Sequence, residues 1–452
     1  MDAKVLSYFE TWLNENEIVD VECATPDMAG AVCGKTLQVD DFLSHVSRGG
    51  LYLAESVFGM TIDGDFILGD VLHETEPDLL FRPDPATLRR VPWYKDATAL
   101  VLGDFFHHDG KPVNFSPRRV LQRVLEFYAK EGWDAVLAPE FEFYFVSKPH
   151  DFVNELEAPA GRVGLTRETL HPYGLDAVDR FDDLFIALYD ACEAQNLEVG
   201  TLTQEAGPAQ YEVNFNHGPV LEAADRAFLF KRCVRRIALD HGLVATFMAK
   251  PYKGHYGSAM HIHQNVLDKA TGKNLFADES GDTKLLRNHV AGLQKYFPQV
   301  MPMFAPYPNS YRRFARYLSS PMNTHWGHDN RSVGLRIPVS GPGSRRVENR
   351  VPGADVNPYL AIAASLACGY LGMKEGVEPD EPLDSRSAYD STGPELTTSH
   401  WDALETMQKC EPMREILGNE FVTLYTNIKA YEFEKFDMII TPWEREHLLL
   451  SV

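Results

Sequence analysis

Four separate segments of this chain alternate large apolar residues with charged or imidazole side chains, and that pattern limits how the chain can fold. They are "APEFEFYFV" (138–146), "AQYEVNF" (209–215), "SAMHIHQN" (258–265) and "RRVENR" (345–350). In a strand, residues two apart face the same way, so Glu140 and Glu142 point together while Phe141 and Phe143 point to the opposite face. Gln210 is matched in the same way with Glu212, His261 with His263, and Arg346 with Glu348 and Arg350, while Glu205 stands just ahead of the second segment in "QEAGPAQYE". Singly, each pattern has an ordinary explanation: a solvent-facing edge, a pair of surface histidines, a salt-bridged solvated stretch. Four of them on strongly apolar strands point instead to one sheet with a polar cavity on one side. Carboxylates gathered this closely do not all stay ionised without cations between them. Hard divalent ions that take oxygen ligands and an occasional imidazole, Mg²⁺ or Mn²⁺, meet that need. Such ions together with arginines suit phosphoryl transfer, in which positioning and charge neutralisation do most of the work. The chain has no G-x-x-x-x-G-K-[ST] loop and no convincing G-x-G-x-x-G, so a nucleotide must be bound by other means.

The rest of the chain gives the setting. Its 452 residues are enough for a large catalytic domain with a smaller companion. The formal charge of −22 disfavours a nucleic-acid partner. Six scattered cysteines without a C-x-x-C pair indicate neither a disulfide framework nor a thiolate metal site. The start lacks a basic region followed by an apolar run, and "YLAIAASLACGYLGM" (359–373) is too short to span a bilayer, so the expectation is a cytoplasmic protein. One amphipathic helix is followed by short strands and turns to about residue 115, including "GAVCGKTLQVDDF" and "TIDGDFILGDV". Ser116 as N-cap and Pro117 as first helical residue then open a helix with Val120, Leu121, Val124, Leu125 and Tyr128 on one face. Asn357 and Pro358 repeat that signal ahead of the apolar helix. The expected architecture is α+β: a small β-rich domain over 1–115 and a large domain over 116–452.

The collinear motifs "GAVCGK", "RPDPATLRRVPW", "APEFEF", "EAGPAQYE", "FMAKPYKGHYGSAMHIHQN", "NSYRRF", "HDNRSVGLRIP" and "RRVENRVPGADVNPYLAIAA" resemble the glutamine synthetase family from about residue 19 to the C-terminus. The resemblance implies a β-grasp-like N-terminal domain and a catalytic domain whose antiparallel strands form a funnel, with ATP at one end and glutamate at the other. By motif position, Glu142, Glu205 and Glu212 look like ligands of a metal near glutamate, and Glu140, His261 and Glu348 like ligands of a metal bridging the ATP phosphates. Two or three Mg²⁺ or Mn²⁺ ions are implied. His263 is expected near the phosphates, Arg331, Arg336 and Arg346 on them, Arg313 and Arg350 on the carboxylates of glutamate, and the Gly257 backbone beside the amino acid. The implied chemistry is phosphorylation of the glutamate γ-carboxylate by ATP, followed by attack of an amine on the acyl phosphate. The resemblance also implies a dodecamer of two stacked hexameric rings, each site completed by a neighbour's N-terminal domain.

Two elements depart from the ammonia-using pattern. After "NSYRR" the flap reads "FARYLSSPMNTHWGHDN", with Ser319 where a glutamate that helps deprotonate ammonium is expected. The D-G-S-S element that binds ammonium is reduced to "TIDGDF", where Asp63 stands without the serines. A hydroxyl is a poor base at neutral pH, so the sequence is most similar in pattern to the γ-glutamylpolyamine branch, with a polyamine or a monoamine as acceptor. Tyr317, Leu318, His325, Trp326 and His328 are candidate lining residues, and Tyr389 in "SAYDS" lies where family members carry an adenylylated tyrosine. Ordinary glutamine synthesis with another proton acceptor, a silent homologue and a guanidino kinase remain alternatives. The complete set of metal carboxylates argues against the second, and the N-terminal domain and the grip arginines against the third.

Overall fold

The computed structural model describes residues 3–151, 154–161, 171–393 and 395–452. An amphipathic helix, Ala3–Glu15, buries Phe9 and Leu13 and leads into a six-stranded sheet. Its strands are β1 (Asp20–Pro26), β2 (Val32–Gln38), β3 (Leu51–Ala54), β4 (Asp78–Pro83), β5 (Arg89–Val91) and β6 (Thr98–Phe106). The main path runs β2-β1-β6-β4-β3, with β1 parallel to β6 at the centre, the β-grasp-like arrangement. Two expectations for this part need correction. The "VDDF" end of "GAVCGKTLQVDDF" turns instead into a helix, Val39–Ser47, with Asp40 and Asp41 in its first turn and Phe42 and Val46 buried. "TIDGDFILGDV", read as strand and turn, keeps only the turn, closed by one bridge, Met60 to Phe66. There the Thr61 hydroxyl donates to Asp63 at 2.6 Å and accepts from the Asp65 amide at 2.9 Å. Such local bonds compete with a strand ladder.

The second sheet carries the four charged segments. Its nine strands are β7 (Trp133–Ser147), β8 (Val199–Gln204), β9 (Gln210–Phe215), β10 (Gly218–Pro219), β11 (Leu243–Thr246), β12 (Met260–Asp268) and, beyond a small hairpin of β13 (Ala277–Asp278) and β14 (Gly281–Asp282), β15 (Trp326–His328), β16 (Leu335–Ile337) and β17 (Val347–Asn349). The order is β15-β16-β17-β12-β7-β9-β8, with β10 and β11 also on β7, and every pair is antiparallel except β15 with β16. Behind the sheet, Phe141 and Phe143 are fully buried and pack on Phe230 of the helix Val220–Asp240 and on Phe247. Ser116 and Pro117 do open the helix Pro117–Lys130, and the Asn357 side chain caps the helix Pro358–Glu375 by accepting from the Tyr359 amide at 3.0 Å. That helix is buried on nearly every face, as an apolar helix in the core of a large domain must be. No helix among the described residues is long and apolar enough to cross a membrane.

Candidate active site

Strand register brings the charged residues together. Glu140 stands opposite His261 on β12 and opposite Asn214 on β9, Glu142 opposite Glu212, and His263 opposite Glu348 on β17. Because the polar members alternate with the apolar ones, all of them rise from one face of the sheet. Glu140 is the hub. Its Oε1 accepts from His261 Nδ1 at 2.8 Å, and its Oε2 accepts from Asn214 at 2.6 Å and from His263 Nε2 at 3.2 Å. The tautomers follow from the partners. Arg346 Nε donates to His263 Nδ1 at 3.1 Å, so the His263 proton sits on Nε2. His261 uses its Nδ1 proton on Glu140, which leaves the Nε2 lone pair buried, without a partner, 3.9 Å from Glu142.

Two groups of three donors form, Glu140 with Glu212 and His261, and Glu140 with His263 and Glu348, each with ligand atoms within 4.8 Å of one another. This grouping differs from the expected pair of sets. Glu140 belongs to both triads because its two oxygens diverge towards different strands, and His263 stands in the second with both ring nitrogens engaged, by Glu140 and by Arg346. Electrostatics divide the carboxylates. Burial raises Glu142 to about 7 against the pull of Arg313, and burial with the charge of Glu142 raises Glu205 to about 7. Burial and then the charge of Glu140 raise Glu212 to about 11. Burial also works against Glu140, but hydrogen bonds from His261 and His263 outweigh it and hold its carboxyl well below the ordinary range. Glu348 is only 1% exposed, and Arg350 and the two imidazoles more than offset its desolvation, bringing it to about 2. Crowded carboxylates that resist ionisation, beside an imidazole lone pair with nothing to bind, fit a hard dication with mixed oxygen and nitrogen ligands.

On one side of the cluster lies a cavity of about 780 Å³, lined among others by Arg331, Arg336, Arg346, Asn216, His217 and Val339. Arg331 is exposed on its wall. Arg336 is already engaged, donating to Glu348 at 2.8 Å and to Asp329 at 2.6 Å. On the other side Arg350 donates to Glu348 at 2.5 Å. The guanidinium of Arg313 donates to the carbonyls of Val351 and Arg350 at 2.7 and 2.9 Å. Gly257 fits against this grip: a Cβ there would meet Arg313 Cγ and the Ala249 carbonyl at 2.6 Å, and the Gly257 carbonyl accepts from Gln210 at 2.9 Å.

Other predicted residues lie apart from the cluster. Asp63 pairs with Lys435 in the N-terminal turn and does not join the cluster within one chain. Ser319 is exposed, in the left-handed region at φ 56°, and Tyr317 adopts φ 61°. Leu318, between them, is half-buried. Trp326 and His328 do not line the flap. They are the first and last residues of β15, which buries Trp326 in the core with its indole on the Asp380 carbonyl and turns His328 towards Asp282 and Asp384 at 2.7 and 3.1 Å. Reasoning from sequence passed over Asn214, whose uncharged side chain carries no signal beyond its place two residues after Glu212. It also missed that Tyr317 donates to Asp390 at 2.8 Å and packs its ring 5.3 Å from that of Tyr389.

Residues 114–448 match the family model for the glutamine synthetase catalytic domain. The chain therefore belongs to the glutamine synthetase family, and it is an ATP-dependent ligase. It is 34% identical to the gamma-glutamylputrescine synthetase PuuA of Escherichia coli, covering 99% of this chain and 94% of that one. It is 32% identical to a glutamate–isopropylamine ligase of a Pseudomonas species, covering 96% and 95%. A solved structure of ligand-free GmaS superposes with a TM-score of 0.84 at 26% identity, covering 97% of this chain and 98% of the other.

Proposed function

We propose that this ligase joins the γ-carboxylate of L-glutamate to an organic amine, by way of a γ-glutamyl phosphate, in the breakdown or detoxification of amines. The observation that carries the reading is the pair of donor triads sharing Glu140, set between a guanidinium-lined cavity and the buried Arg313 and Arg350. Divalent ions held by Glu140, Glu142, Glu205, Glu212, His261 and Glu348 would neutralise phosphate and carboxylate charge, with His263 beside the phosphates. Arg313, Arg350 and the Gly257 backbone hold glutamate with its γ-carboxylate towards the cluster. Arg331, Arg336 and Arg346, which line the same cavity, meet the phosphates of ATP. A γ-carboxylate oxygen attacks the terminal phosphorus and ADP leaves. The amine nitrogen then attacks the acyl carbon, the carbon–oxygen bond to phosphate breaks, and one proton leaves the amine. An alkylammonium has a pKa near that of lysine, about 10.4, so a proton acceptor is part of the reaction.

Support for an organic amine comes from the flap, where a small exposed hydroxyl at Ser319 and the aromatic Tyr317 stand in place of a carboxylate, and from the substrates named for the two relatives. The domain division at residues 115 and 116 and the dodecamer belong to the same proposal. Assembly is supported by the apolar C-terminal surface, where Met438, Ile439, Ile440, Trp443, Leu449 and Leu450 are all exposed. Phosphate release with ATP, Mg²⁺ and glutamate, compared across ammonium and organic amines, tests the reading; preference for ammonium would make the enzyme a glutamine synthetase.

A further inference from the structure

Two uncharged side chains beside the donor cluster stand outside both triads, and both hold one short loop. Tyr144 and Gln210 face each other across the β7–β9 pair, two residues along from Glu142 and Glu212, so they rise from the same face of the sheet as those carboxylates. Tyr144 is fully buried there, its ring 5.4 Å from that of Tyr252 and apart from the main core that takes Phe143 and Phe145. Its hydroxyl donates to the Tyr256 carbonyl at 2.7 Å, and Gln210 Nε2 donates to the next carbonyl, that of Gly257, at 2.9 Å. Gly207 makes room for both. A Cβ there would stand 1.9 Å from the Tyr144 hydroxyl, and the Gly207 amide donates to Gln210 Oε1 at 2.9 Å, which turns the nitrogen of that side chain to the loop.

The loop is held further along as well. The Ser258 amide donates to the Ala249 carbonyl at 2.9 Å, and the Ala259 amide to Glu142 Oε2 at 2.8 Å. The Gly257 amide differs from these two, having no hydrogen-bond partner among the described residues. A peptide unit is planar and trans, with its C=O and N–H on opposite sides, so the bond from Tyr144 to the Tyr256 carbonyl also sets the direction of the Gly257 N–H. Gly257 lies so close to Arg313 that a Cβ would meet that side chain at 2.6 Å. A fixed amide donor therefore stands beside the guanidinium, and donors fixed in advance bind an anion without the cost of ordering them.

We propose that Tyr144 is a positioning residue for the glutamate substrate: it fixes the Tyr256–Gly257 peptide so that the Gly257 amide donates to a carboxylate of glutamate beside Arg313. The proposal rests on the placement of glutamate at Arg313, Arg350 and Gly257 given above. The test is calorimetric titration of L-glutamate into the protein with Mg²⁺ and ADP, in the wild type, in Tyr144→Phe and in Gly257→Ala, with the Kd for ADP and the Tm measured alongside. Tyr144→Phe removes one hydroxyl and keeps the ring that packs on Tyr252. The expected result in Tyr144→Phe is a Kd for L-glutamate raised about three- to tenfold, the range of one hydrogen bond, with the Kd for ADP within about twofold of the wild type. An unchanged Kd for L-glutamate in Tyr144→Phe, whatever its Tm, makes the hydroxyl purely structural and overturns the proposal, as does an equal loss for L-glutamate and ADP. The third protein separates the two readings. If Gly257→Ala weakens L-glutamate binding and Tyr144→Phe does not, only the role of Tyr144 is lost; if neither moves it, the placement of glutamate beside Gly257 falls too.

Discussion

Asn214 faces Glu140 directly across the β7–β9 pair and donates to its Oε2 at 2.6 Å, while the same amide lies 3.4 Å from Glu212. One uncharged side chain thereby sets the angle of the carboxylate shared by both donor triads. Partners of this kind commonly account for about ten- to a hundredfold in metal affinity. Asn214→Ala is expected to weaken Mn²⁺ binding within that range, read by titration without substrate. Unchanged affinity would show that Glu140 is held well enough by its histidines alone.

Glu348 sits between Arg336 and Arg350, at 2.8 and 2.5 Å, and is almost wholly buried. Removing one partner from a buried charge cluster costs about 3–5 kcal/mol, because the others remain desolvated and unpaired. Glu348→Ala should lose stability of that order in denaturant unfolding performed in a chelator, where metal binding contributes nothing. A loss under about 1 kcal/mol, the range of an exposed pair, would contradict the burial.

The raised carboxylates predict a specific dependence on pH. Glu142 and Glu205 go from an ordinary 4.5 to about 7 on folding. Between those values the folded chain holds more protons than the unfolded one, so their contribution to stability is present below about pH 4.5 and is lost as pH rises through 7. Divalent ions relieve the repulsion that remains at high pH. The rise in Tm on adding Mg²⁺ should therefore be larger at about pH 8 than at about pH 5.5. Equal rises at both would sever the link between these carboxylates and the ion.

Ser319 gives the most direct handle on the amine. In Ser319→Glu a carboxylate returns to the flap at an exposed position, on a left-handed backbone that the wild-type serine already adopts. The ratio of ammonium to organic-amine kcat/KM should rise by at least about tenfold, within what a positioned proton acceptor contributes. A fall in both rates with no change in ratio would assign the flap a purely structural part.

Much of this site could be read from the strands, because charge alternating with Phe or Val at period two places both the apolar and the polar face. That is how Glu140, Glu142, His261, His263 and Glu348 came into view before any register was known. Register itself was hidden, and with it the double membership of Glu140 and the role of Asn214. Loops were harder. Trp326 and His328 stand within the flap segment in sequence, but β15 spans them and turns both away. The Tyr317–Asp390 and Tyr317–Tyr389 contacts join segments about 70 residues apart, and no local pattern announces them. In the N-terminal part, "VDDF" reads as the end of a strand-like stretch until Phe42 and Val46, four apart, are seen on one buried helix face.

The central claim, ligation of glutamate to an organic amine, is tested most directly by phosphate release from ATP with glutamate and Mg²⁺, ammonium and organic amines being compared at equal concentration. The account predicts rapid release with organic amines and little with ammonium, with the γ-glutamylamide as product. Efficient release with ammonium alone would contradict it.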